Sequence, residues 1–231
     1  PAPNPHESRR MLDRINAVRA FKQRVDKEYS ILGWVEGPAA EASDLRGVSA
    51  FLMDIADDEE YACGVMDRCL EVAIAFAGEQ ITAGADTIGI GDAIASQVSP
   101  AVYERLIQPR EKRLIEEIHA AGALARLHIC GNITRHLPAI AALGVDIVDV
   151  DHPVDMTTAR RLLGKSVVLA GNINPVTVRF GSPHEIASYV HRTCKAVGIP
   201  CMVGAGCEIP AGTPHENLFA LCRPVPYIRG H

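Results

Sequence analysis

The sequence predicts an α/β protein built on a parallel β-sheet, and three observations lead to that class. Six short apolar runs, near residues 31–36, 86–90, 123–129, 145–150, 167–170 and 200–203, recur along the chain. Between them lie stretches with apolar residues at helical spacing or with helix-capping signals. The runs are largely apolar throughout instead of alternating, the pattern of strands covered on both faces. Six such strands suit an open doubly wound sheet, while a barrel of βα units closes with eight. Periodicity alone leaves both arrangements open.

The first helix is expected over residues 8–27, where Met11, Leu12, Ile15, Val18, Phe21 and Val25 recur at helical spacing. The strand at 31–36 stops at Gly37-Pro38. Residues 38–60 are less regular and end in an acidic cluster of Asp54, Asp57, Asp58, Glu59 and Glu60. They read as an insertion or lid over one end of a single domain spanning 1–231, with the acids solvated. A helix over 61–83 carries Val65, Leu70, Ile74 and Ile81, and the strand behind it is stopped by Gly91-Asp92. Ser99-Pro100 opens a helix to about residue 121, since a Ser hydroxyl caps free N–H groups and Pro suits the first turn. Ser182-Pro183-His184-Glu185 and Thr213-Pro214-His215-Glu216 both have capping-box spacing.

Composition narrows the function. The 231 residues are 48% hydrophobic and 22% charged, as in ordinary globular proteins. A net charge of −5 gives no reason to expect nucleic acid or an anionic membrane surface as a partner. No run of about 18 apolar residues suggests a spanning helix. The first ten residues are polar and Pro-rich, unlike a secretory signal, and a start at Pro1 without Met suggests a processed or truncated N-terminus. Seven cysteines in such a chain suggest free thiols and metal ligands, with the cytoplasm as the expected compartment.

The chemistry concentrates at strand ends. His128-Ile129-Cys130 closes one strand and Cys207 follows the last, in Gly204-Ala205-Gly206-Cys207. Zinc takes imidazole nitrogen and thiolate sulfur, and catalytic sites use three protein ligands with a fourth position open. Residues two apart on a strand point the same way, so His128 and Cys130 can converge on one ion. Carboxyl ends of barrel strands are also where active sites form. Taken alone the triplet is a weak motif, because a His near an apolar strand and a free Cys are commonly structural. Cys63, Cys69, Cys194, Cys201 and Cys222 read as structural.

At His128-Ile129-Cys130-Gly131-Asn132 and Gly204-Ala205-Gly206-Cys207-Glu208-Ile209-Pro210, the chain resembles the uroporphyrinogen decarboxylase superfamily. The resemblance is to its corrinoid-linked methyltransferase branch, which includes methylcobamide:coenzyme M methyltransferases. It extends over residues 10–222 and includes Gly33-Trp34-Val35-Glu36-Gly37-Pro38, Gly91-Asp92, Asp149-Val150-Asp151-His152 and Gly171-Asn172-Ile173-Asn174-Pro175. It implies a TIM (β/α)8-type barrel whose first two strands are missing here, six βα units remaining. It also implies zinc on His128, Cys130 and Cys207, and a methyl group moved between a corrinoid on a partner protein and a small thiol or folate-type acceptor. The Arg-rich N-terminal segment that holds tetrapyrrole carboxylates in the decarboxylases has no counterpart here, which disfavours that activity.

Other strand-end polar groups are candidates. Glu36 and Asp92 are taken as catalytic, and Asn172, Asn174 and Asp151 as substrate-binding. Asp151 and His152 also read as groups that orient the His128 imidazole. A metal-free relative with decarboxylase activity or a pterin site, and a barrel subunit completed by a partner, stay open as alternatives. The oligomeric state stays open too.

Overall fold

The structure is a computed structural model and describes residues 2–25 and 28–223. Six parallel strands form one sheet in sequence order: β1 Leu32–Glu36, β2 Thr87–Gly91, β3 Leu124–Ile129, β4 Ile147–Val150, β5 Val168–Ile173 and β6 Cys201–Ala205. Helices α1 Arg9–Val25, α2 Pro38–Arg46, α3 Val48–Asp57 and α4 Glu59–Ala83 precede β2. Then come α5 Pro100–Val102, α6 Gln108–Ala120, α7 Leu137–Ile140, α8 Met156–Leu163, α9 Pro175–Phe180, α10 Pro183–Val197 and α11 His215–Cys222. This strand order is that of a βα barrel, here with β1 and β6 as open edges among the described residues. No helix among them is long and apolar enough to cross a membrane.

The two faces of the sheet differ. Val35, Ile88, Ile90, Leu127, Ile129, Val148 and Leu169 lie in the hydrophobic core beneath the helices. The other face would line a closed barrel, and it leaves Leu32, Trp34, Leu124 and Met202 exposed. Register puts Glu36, Gly91, His128, Asp149 and Ala170 in one row across that face. Trp34, Gly89 and Arg126 form the row below.

Three local expectations change. Residues 38–60, read as irregular, are mostly helical: Pro38 starts α2, and Phe51 and Ile55 bury one side of α3. Apolar spacing there is masked by the acids at the end of the segment. The helix opened by Ser99, whose hydroxyl accepts from Val102 N–H, passes through a π-helical stretch at Tyr103–Ile107 before continuing as α6. Ser182 and Glu185 make the reciprocal capping box at α10. Thr213 makes none, because its hydroxyl donates to the Pro210 carbonyl and the helix starts with Pro214 at its cap position.

Leu127 lies on the covered face of β3, 1% exposed and one residue from His128. Leu127→Ala should cost about 2–5 kcal/mol in urea denaturation. A loss below about 1 kcal/mol would show that the helices do not pack on this face as described.

Candidate metal centre

Three donors meet at the carboxyl end of the sheet. The alternation of β3 points His128 to the open face with 12% of its side chain exposed, and Cys130 follows one residue beyond the strand. His128 Nε2 lies 3.1 Å from Cys130 Sγ, and that sulfur lies 3.4 Å from Cys207 Sγ. All three donor atoms fall within 4.8 Å of one another. Tetrahedral zinc, with bonds of about 2.0–2.3 Å, needs ligand atoms roughly 3.5–3.8 Å apart. A shift of a few tenths of an ångström would meet that spacing, so the donor set suits zinc in both element type and separation. Burial, then the contact with Cys207, pushes the Cys130 thiol up to about 12, so without a metal it keeps its proton.

The imidazole is oriented by Asp149. His128 Nδ1 lies 3.1 Å from the Asp149 backbone oxygen and 3.7 Å from its carboxylate. Donation from Nδ1–H to that backbone oxygen leaves Nε2 free as a metal ligand. This corrects the sequence expectation, which gave the task to Asp151 and His152. His152 Nδ1 turns to the Asp151 carboxylate at 3.0 Å.

Asp151 does something else. Its Oδ2 accepts from Gly131 N–H at 2.6 Å, fixing the turn after Cys130, where Gly131 has φ +87°. Its Oδ1 accepts from His152 N–H at 2.6 Å. The Cys207 loop passes directly over this knot. A Cβ on Gly206 would stand 2.4 Å from His152 N and 2.9 Å from Asp151 Oδ1, so only glycine allows the approach. Gly206 N–H then donates to Ile173 O at 2.7 Å and locks the loop.

The other sequence candidates divide. Glu36 is exposed in the His128 row, with Oε1 accepting from Trp34 Nε1 at 3.1 Å. Partial burial and the neighbouring Asp44 and Glu41 outweigh that bond and raise its pKa. The Trp34 indole lies across Gly89 and Gly91, where side chains would collide with it. Asp92, taken as catalytic, is fully buried. It accepts from Ala40 N–H at 2.7 Å and Ala39 N–H at 3.4 Å, anchoring the start of α2. Asn172 is 2% exposed and donates to Val154 O at 2.7 Å. Asn174 caps α9, accepting from Val176 N–H at 2.8 Å.

Sequence reasoning missed Glu111 and the role of Asp149. Asp149 sits in a quoted motif, but only strand register sets it beside His128. Glu111 reads as one more helix acid, yet it is fully buried, accepts from Tyr103 Oη, and shares a hydrogen bond with Asp92. Burial and the Asp92 charge raise Glu111 well above the carboxylate range, and burial pushes Asp92 up to about 7. The pair therefore shares a proton.

A parallel βα sheet with a His/Cys/Cys cluster at its carboxyl rim defines a barrel-type protein with a candidate metal centre. Residues 1–226 match the family profile described as uroporphyrinogen decarboxylase (URO-D), and the chain belongs to that family. It is 30% identical over 208 residues to methylcobamide:CoM methyltransferase MtbA of Methanosarcina mazei, covering 88% of this chain and 60% of that protein. Against uroporphyrinogen decarboxylase 2, chloroplastic, of Arabidopsis thaliana, identity is 27% over 210 residues, covering 87% and 53%. The solved structure of a methyltransferase from Methanosarcina mazei superposes with TM-score 0.84 at 26% identity, covering 92% of this chain and 63% of that one. The chain thus spans about 60% of the length of MtbA.

Two outcomes test this geometry. Mild oxidation of metal-free protein with diamide should join Cys130 to Cys207, read by peptide mass mapping, and Gly206→Ala should suppress that bond. Equal cross-linking in the variant would refute the loop packing. Separately, the folded pKa of Asp92 lies above its ordinary 3.8, so its stabilising contribution is present below that value and fades as pH rises through about 7. Glu111→Gln keeps an N–H donor to Asp92 without a titrating proton. Its stability in urea should gain on wild type between pH 5 and 8.5; a constant difference would contradict the shared proton.

Proposed function

We propose that this protein is a zinc-dependent methyltransferase of the URO-D family. It moves a methyl group between a corrinoid carried by a partner protein and a small thiol such as coenzyme M. The observation that carries this reading is the convergence of His128 Nε2, Cys130 Sγ and Cys207 Sγ within 4.8 Å. The MtbA relative supplies the reaction type by its name.

His128, Cys130 and Cys207 would hold the ion, with two thiolates balancing its charge. Bound there, zinc supplies the Lewis acidity that keeps a thiol in its nucleophilic thiolate form at neutral pH. Asp149 fixes the imidazole tautomer, and Asp151 keeps the two sulfur-bearing loops together. Glu36, whose pKa is raised by partial burial, accepts the thiol proton at Oε2. Asp92 acts by position alone, pinning α2 at the rim, and α2 and α3 serve as a cover over the mouth. Asp151, Asn172 and Asn174 reach a substrate only through the loops they brace.

A second reading has two observations behind it. Among the described residues, edges β1 and β6 are unpaired, and the chain spans 60% of the relative's length, which suits a barrel completed by further polypeptide. Sedimentation and thermal melting test that need.

Purified protein should carry about one zinc per chain by elemental analysis. Cys207→Ala should lose it while the far-UV spectrum stays that of the folded protein. With methylcobalamin and coenzyme M, added zinc should support thioether formation and Cys207→Ala should reduce it at least 100-fold. Zinc-free protein with full activity would overturn the proposal.

A further inference from the structure

Two cysteines that read as structural in the sequence face each other across one turn: Cys194 in α10 and Cys201 at the start of β6. The Cys201 thiol donates to Cys194 Sγ at 3.8 Å. The sulfurs meet at a seam. Cys201 packs against the main hydrophobic core, and Cys194 against a separate small cluster that includes Ile173, Val178, Ile186 and Val190. Both are half-buried, unlike the buried Cys69, which leaves them open to a small solute. Arg160 of α8 holds the turn between them, donating from Nε to Val197 O at 3.3 Å and from Nη2 to Pro200 O at 2.5 Å. The strand they flank is the least protected of the sheet. None of the residues of β6 is buried, whereas every residue of β2 and of β4 is. Among the described residues β6 pairs only with β5. A segment with so little burial opens locally at low cost.

We propose that Cys194 and Cys201 form a reversible disulfide by exchange with a low-molecular-weight disulfide, and that the bond clamps the edge strand β6 to α10. One cysteine sulfur, as thiolate, attacks the small disulfide, whose S–S bond breaks; one small thiolate leaves and a mixed disulfide forms. The second cysteine sulfur then attacks the protein sulfur of that mixed disulfide. The Cys194–Cys201 bond forms and the other small thiolate leaves. The two protons shed by the cysteines go to the leaving thiolates. Two protein thiols are thus oxidised, and one disulfide is reduced to two thiols. Closing the sulfurs from 3.8 Å to a bond of about 2.05 Å asks for side-chain rotation at either end of an exposed turn. Burial, then the neighbouring Cys201, pushes the Cys194 thiol up to about 11, so exchange near neutral pH runs over minutes to hours. The pair lies at the opposite end of β6 from Cys207, and the proposal does not depend on zinc.

The test treats the full chain with oxidised glutathione and maps its disulfides after tryptic digestion. Cleavage after Lys195 puts Cys194 and Cys201 on different peptides, and Cys130 falls on a third. Their bond therefore appears as a linked pair that dithiothreitol separates, and fragmentation between Cys201 and Cys207 assigns the sulfur. Most chains should carry the Cys194–Cys201 pair, while Cys194→Ser and Cys201→Ser should each retain glutathione on the cysteine that is left. Amide hydrogen exchange over Cys201–Ala205 should slow at least about tenfold in oxidised wild type and stay unchanged in Cys194→Ser treated the same way. Should a serine variant disturb the packing, Cys194→Ala on the helix side reads the same loss. Glutathione held on both cysteines without an internal bond, a bond from either to Cys207, or no reaction overturns the pairing. A bond that leaves exchange over β6 unchanged overturns the clamp.

Discussion

The Asp151 carboxylate is the constraint on which the rest of the site depends. One oxygen fixes the turn after Cys130, the other fixes the backbone of His152, and the Cys207 loop crosses close over the second of these contacts. Without that knot, two sulfurs 77 positions apart would have no reason to face each other at 3.4 Å. A carboxylate accepting several N–H bonds tolerates burial because each desolvated lone pair is replaced. The same residue therefore stabilises the rim and sets the donor spacing.

Parallel register does the remaining placement. It lines up Glu36, His128 and Asp149 in one row and lets Asp149 serve His128 with its backbone oxygen while its carboxylate engages Arg126. On the neighbouring side, Asp92 and Glu111 spend stability on buried acids to hold the start of α2 against β2. Groups of this kind cluster at functional rims, where position matters more than folding free energy. Most of the helix-covered face is hydrophobic core.

Much of this was legible in the chain. Apolar runs located all six strands, and Ser99 and Ser182 marked real caps, because these signals are local. The convergence of His128, Cys130 and Cys207 was legible by residue type, strand alternation and family resemblance. What sequence could not give depends on register and burial. Asp92 and Asn172 look like polar strand-end groups facing a ligand, yet both are consumed by backbone N–H or C=O groups of neighbouring segments. Glu111 looks like a surface acid until the packing of α6 closes over it. Thr213 has capping spacing but finds a nearer acceptor in Pro210.

The most direct measurement is zinc K-edge X-ray absorption on protein loaded with one equivalent of metal. The account predicts one nitrogen at about 2.0–2.1 Å, two sulfurs at about 2.3 Å and one further light atom, with the sulfur shell reduced in Cys207→Ala. A shell of oxygen and nitrogen alone, or a wild-type spectrum unchanged by that substitution, would contradict it.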